Sequence, residues 1–195
     1  LLLNVSDPKN YEPFILVSVL LSLALVPILL TKRSTPKFKK IGTISVKELY
    51  KISPFGTVSS FCTGIIHAAF FSLMAVYATK SNFTLFETSI LLFIATISGV
   101  IFQGPIGYFS DKFDRRKVIV IVTFLCAFFS FFAMIFAGSS LVNMYLSIEL
   151  PVNKILFFLT VGLYAGLCLP LFSLNLAHTN DFVSKEKFVA AGGGL

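Results

Sequence analysis

The sequence predicts an all-α polytopic membrane protein, and three observations carry that reading. Hydrophobic residues make up 56% of the chain and charged residues 13%, whereas an ordinary globular domain is roughly a quarter charged. The apolar residues fall in long runs, and several of these approach the ~20 residues that a helix needs to cross the hydrocarbon core. Six of the 25 charged residues crowd into positions 111–117, with a long, nearly uncharged stretch on either side. The runs are helices because only helices and closed barrels satisfy every backbone group in lipid. Barrel strands would alternate polar and apolar residues, and these runs do not.

Taken in order, the chain reads as five full transmembrane spans and the start of a sixth. The spans are expected near 14–30, 55–78, 88–109, 118–137 and 155–177. A further helix is expected to begin near Ser184, an N-cap type of residue, with Glu186 in the favourable first turn. It runs into Ala190, Ala191 and the triplet Gly192-Gly193-Gly194. We read the chain as a piece of a longer protein cut at both ends. Between the first two spans lies a basic segment, 31–53. Within it Val46, Leu49 and Tyr50 share one helical face and Lys47, Glu48 and Lys51 another. Such a helix can lie along a membrane surface; a strap between moving parts and a linker that happens to be amphipathic both remain open.

Basic residues set the orientation. Alternate sides of the membrane carry 13 and 3 of the 16 Lys and Arg; Lys9, Lys80 and Lys154 make up the smaller group. The richer side is expected to be cytoplasmic, which leaves the N-terminus of this chain outside. The net charge of +7 is explained by topology and by attraction to anionic lipid, so no nucleic-acid partner is implied.

The charged cluster has internal grammar. Gly107, Asp111, Lys112, Arg115 and Arg116 fall on the pattern Gly-x-x-x-Asp-Arg/Lys-x-Gly-Arg-Arg/Lys, and Asp114 stands where a second glycine is usual. The stretch resembles the signature loop of the major facilitator superfamily of transporters. That resemblance implies two six-helix halves joined by a long cytoplasmic loop, with a signature between the second and third helices of each half. Residues 1–30 then correspond to an external flank and helix 6, 31–53 to the central loop, and 54–195 to an incomplete C-terminal bundle from helix 7 to the start of helix 11. Were the chain the first half, its first span would be an extra helix. The runs Ser53-Pro54-Phe55-Gly56 and Ala177-His178-Thr179-Asn180-Asp181 look like an uncharacterised bacterial permease branch, the YcaD-like group.

In that family the signature acts as a conformational latch, and here Gly104, Gly107, Asp111, Lys112, Arg115 and Arg116 would form it. Gly104 and Gly107 are expected to permit a tight turn and close backbones. Asp111 is expected to accept hydrogen bonds from Arg115 or Arg116, or from a neighbouring helix N-terminus, with Asp114 competing for the same arginines. A solvated topogenic charge run is the plainer alternative. Within the spans, Ser60, Thr63 and His67 share a face with Gly64. His67, the one ionisable group well inside a span, is a candidate for lining the cavity or relaying a proton; bonding a neighbouring helix is its plainer role. Gly99 and Gln103 are one turn apart and lead to Gly107, a packing face with one polar contact. Gly162, Gly166 and Pro170 recur every four residues, spaced for close helix packing and, at the proline, for a gating kink. Asn175 and His178 are expected to be interfacial.

Other chemistry fails on spacing. Cys62, Cys126 and Cys168 lie in separate spans and form neither a metal set nor an evident disulfide. No Gly-x-x-x-x-Gly-Lys-Ser/Thr loop is present, so ATP hydrolysis is not expected. A lipid head-group enzyme would use Asp111 and Asp114 to chelate Mg²⁺, but the CDP-alcohol phosphotransferases need two further aspartates, and positions 118–137 hold none. A transporter-like sensor or scaffold is the other alternative. The expectation is a secondary active permease working by alternating access, in the plasma membrane of a bacterium (the inner membrane). It would bind an unidentified small-molecule substrate with a coupling proton or Na⁺, need no cofactor or resident metal, and not be an enzyme. Its partners would be the lipid bilayer and the N-terminal half of the same protein.

Overall fold

The structure, a computed structural model, describes residues 10–30, 44–137, 153–184 and 187–194. They form eight helices: α1 (Glu12–Leu29), α2 (Val46–Ile52), α3 (Pro54–Lys80), α4 (Leu85–Lys112), α5 (Arg115–Phe136), α6 (Lys154–Cys168), α7 (Leu171–Asn180) and α8 (Phe188–Gly194). α3, α4, α5 and the combined α6–α7 are long and apolar enough to cross a membrane. α1 is apolar but shorter, and most of its side chains are exposed.

Each start follows from its capping chemistry. Ser45 caps α2 by accepting from the Glu48 amide. Pro54 opens α3, where its missing N–H costs nothing. Thr84 and Glu87 close a reciprocal capping box on α4, after a turn in which Asn82 takes a positive φ of 55°. Asp114 and Asn153 cap α5 and α6 through their side-chain oxygens. The fifth span divides at Leu169-Pro170, because Pro170 has no N–H to continue the helical ladder.

α4 departs from expectation. It continues through Gly104, Pro105 and Gly107 to Lys112, leaving Phe113 and Asp114 to connect it to α5. A Cβ at Gly104 or Gly107 would meet nothing within 4 Å. The turn therefore needs neither glycine, and no close approach is built on them among the described residues.

The bundle is organised around α6–α7, of which 56% of the most apolar window is buried, against 11–22% for α3, α4 and α5. Its seam with α4 is made of small residues. A Cβ on Gly166 would stand 2.9 Å from the Phe102 ring, one on Gly162 2.8 Å from Ile94, and one on Gly99 2.5 Å from Leu169. All three close approaches belong to the same seam between α4 and the central span. One apolar cluster joins Ile106, Val118, Ile119 and Val122 to Leu167, Leu171 and Leu174. A second, at the opposite end, centres on Leu91, Phe83, Phe157 and Val161. The exposed faces of α3, α4 and α5 carry Phe61, Leu73, Val100 and Phe124, as suits a lipid solvent.

α2 differs from a helix lying free on the membrane surface. Leu49 is fully buried against Val183 and Ala191, while Val46 and Tyr50 stay exposed. Lys187 Nζ donates to Glu48 Oε1 at 2.8 Å. That bond and the lysine's charge hold the Glu48 carboxyl below its ordinary 4.5. A lowered carboxyl stabilises the contact above the unfolded value and loses it as pH falls through the folded one. Amide-exchange protection of α2 is therefore expected to stay level from pH 7 to about pH 5 and to decline in more acid solution; Glu48→Gln should lower it at neutral pH. Glu186, expected in the first turn of the last helix, lies outside the described residues, and α8 begins at Phe188. Lys9 and positions 31–43 of the basic loop lie outside them as well.

Candidate functional site

The signature cluster sits where three helix ends converge: the end of α4, the start of α5 and the end of α7. Arg115 donates through a terminal guanidinium nitrogen to Asp111 Oδ1 at 3.0 Å, and its Nε lies 3.1 Å from Asp181 Oδ2. One planar fork therefore bridges carboxylates from two different spans, a geometry to which arginine is suited and lysine is not. Arg116 takes a separate place, with its guanidinium 5.1 Å from the centre of the Phe55 ring. His178 lies between two rings, meeting Phe55 edge-on at 5.3 Å and Phe182 at 5.1 Å.

Gly56 lets this end close, because a Cβ there would collide with the Thr179 hydroxyl and stand 2.7 Å from Ser53 Oγ. The two runs singled out in the sequence, 53–56 and 177–181, are thus packed against each other. Asn175 and His178 are buried within the bundle, at 0% and 4% exposure. Asp114 does not compete for the arginine side chains: its Oδ1 accepts from the Arg116 backbone N–H at 2.9 Å and caps α5. Lys112 lies over the Tyr108 ring at 4.4 Å.

Beneath the Arg115 bridge, between α4 and α7, is a cavity of about 270 Å³ bordered by Gln103, Gly107, Ser110, Asp111, Pro170 and Ser173. Ser110 Oγ is buried there without a protein partner among the described residues. Gln103 is thus placed at this pocket.

The other polar candidates face the central helix. Asn175 Nδ2 donates to Thr63 Oγ1 at 3.0 Å. Ser60, 1% exposed, lies on the same face of α3, and its Oγ has no partner among the described residues. A His67 ring nitrogen lies 3.0 Å from the Cys168 carbonyl, at the end of α6. His67 therefore makes the inter-helix bond that was its plainer role. A larger open groove of about 820 Å³ runs between α3, α5 and α6, walled by Phe70, Met74, Tyr77, Ala133, Phe157 and Tyr164. Ser60, Thr63, His67 and Gln103 are not among its lining residues.

At the far end of the bundle Lys154 Nζ meets Glu87 Oε1 at 2.6 Å and lies over the Phe83 ring. Asp181 and the Phe55–Arg116 pair were missed by sequence reasoning. The available signal was an acidic residue ending a span on the same side of the membrane as an arginine pair. Cys126 and Cys168 are free, buried thiols within one apolar cluster.

The family model of the Major Facilitator Superfamily matches residues 11–193. The uncharacterized MFS-type transporter YfkF of Bacillus subtilis (strain 168) is 30% identical over 95 residues, which are 47% of this chain and 24% of YfkF. The match thus spans about a quarter of that relative's length. No solved structure matches the chain significantly. With a family match over nearly its whole length and apolar helices packed around a broken central one, the chain belongs to the major facilitator superfamily.

Proposed function

We propose that the protein is a secondary active transporter of a small solute, working by alternating access, and that residues 54–194 belong to its C-terminal bundle. The observation that carries this reading is the Arg115 bridge between Asp111 and Asp181, which gathers three helix ends at the basic end of the bundle. A link of that kind can hold one conformation and release it when a helix end moves. The break at Leu169-Pro170 supplies a hinge in the same span as Asp181. Asp111 and Asp114 are committed to Arg115 and to the α5 cap, which argues against their use as Mg²⁺ ligands in a head-group enzyme. Substrate would sit between this bundle and a second one, with a proton or Na⁺ as the coupling ion. The YcaD-like assignment rests on the two packed runs at the Arg116–Phe55 contact.

The orientation we propose puts the Arg115 end in the cytoplasm and Lys80 and Lys154 outside, in the plasma membrane. Single cysteines at Lys80 and Lys154 in an otherwise Cys-free protein should react with an impermeant thiol reagent added to intact cells. Cysteines at Lys39 and Lys117 should react only after the cells are opened. The reverse pattern would overturn the orientation and the C-terminal assignment with it.

A further inference from the structure

We propose that the cavity beneath the Arg115 bridge is a binding site for a partly hydrated Na⁺ ion, held by the Asp111 carboxylate with the side-chain oxygens of Ser110, Gln103 and Ser173. All four residues border the same space of about 270 Å³ between α4 and α7. Ser110 is the residue that calls for a ligand. It is 2% exposed, and its Oγ has no protein partner among the described residues. A buried hydroxyl without a partner is costly, so a ligand of the cavity satisfies it.

Charge selects that ligand. Asp111 and Asp181 share one guanidinium, at 3.0 and 3.1 Å, and two carboxylates against one arginine leave a negative charge over. Lys112 lies over the Tyr108 ring and Arg116 over the Phe55 ring, while Asp114 caps α5. The bond from Arg115 engages Asp111 Oδ1, so the second carboxylate oxygen is open to another cation. α4 and α7 both end here, at Lys112 and Asn180, and the negative ends of helix dipoles favour a cation. A carboxylate with neutral oxygens is a hard-cation set, and a single surplus charge suits a monovalent ion. The space exceeds a bare ion, since a water takes up roughly 30 Å³, so waters complete the shell. The consequence rests on the transporter reading: this would be the coupling ion. Na⁺ and Arg115 act on one carboxylate, so each weakens the hold of the other, and an ion in the pocket loosens the bridge.

The test is equilibrium binding of radioactive sodium to the complete reading frame in detergent, with choline chloride holding ionic strength constant. Binding should be saturable, and Ser110→Ala and Asp111→Asn should each weaken it by roughly tenfold. Arg115→Ala should tighten it, because the competing charge is gone. Ser110→Ala removes a hydroxyl that bonds no protein group, so its thermal midpoint in choline chloride should match that of the parent. Absence of saturable binding would overturn the proposal, as would binding that Ser110→Ala and Asp111→Asn leave unchanged or that Arg115→Ala weakens. No substrate or flux enters the measurement. A protein that binds Na⁺ here yet moves no solute would strike the transporter reading alone, and a working transporter with no Na⁺ bound here would strike the site alone.

Discussion

Gly166→Leu is expected to lower the thermal midpoint of the protein in detergent, with a cost of roughly 1–3 kcal/mol from overpacking. The first added carbon would already stand 2.9 Å from the Phe102 ring, and the remaining three would have to push α4 away from the central helix. Replacing a helical glycine by a better helix former returns about 0.5–1 kcal/mol, so the steric term decides the sign. Gly64→Leu is the control. It sits in α3, and a Cβ there would meet nothing within 4 Å, so its midpoint should hold or rise. Equal midpoints for the two variants would mean that the α4–α6 seam does not depend on small residues.

That contrast marks what the sequence could say. Both glycines lie in apolar helices; spacing of four residues singled out Gly162 and Gly166, and a Cβ at either would crowd α4. The same kind of argument failed at Gly104 and Gly107, which lie inside α4 against open space. Span ends were legible to within a few residues, because capping residues such as Thr84, Asp114 and Asn153 stand beside the apolar runs. The buried face of each span was not. A membrane helix is apolar towards both lipid and protein, so the one-sided pattern that marks the core in a water-soluble helix is weak.

The candidate site was legible in part for a related reason. Asp111 and Arg115 are four residues apart, and their pairing follows from local geometry even though a helix ends between them. Asp181 lies far along the chain and reaches Arg115 only because α6–α7 crosses the bundle and returns to the same end. The burial of Asn175 and His178 has the same origin. His67 was conspicuous as an ionisable group within a span, yet its partner is the backbone carbonyl of Cys168 on another span, which no spacing rule points to.

The Arg115 bridge is the centre of the functional account, and removing it is expected to have the largest effect on conformation. Arg115→Ala leaves Asp111 and Asp181 without their shared donor. Side-chain exposure is 26% for Arg115, 72% for Asp111 and 47% for Asp181, so solvent screening limits the loss to about 1 kcal/mol. That is still enough to change a two-state ratio about fivefold. Arg115→Lys should recover little of it, because an ammonium cannot reproduce the fork. The most direct measurement is the reactivity of a cysteine placed at Ser173, which borders the pocket beneath the bridge, in an otherwise Cys-free protein in inside-out vesicles. The account predicts that an impermeant thiol reagent labels Ser173→Cys several times faster when Arg115→Ala or Asp181→Asn is also present. Equal labelling rates with and without those substitutions would contradict it.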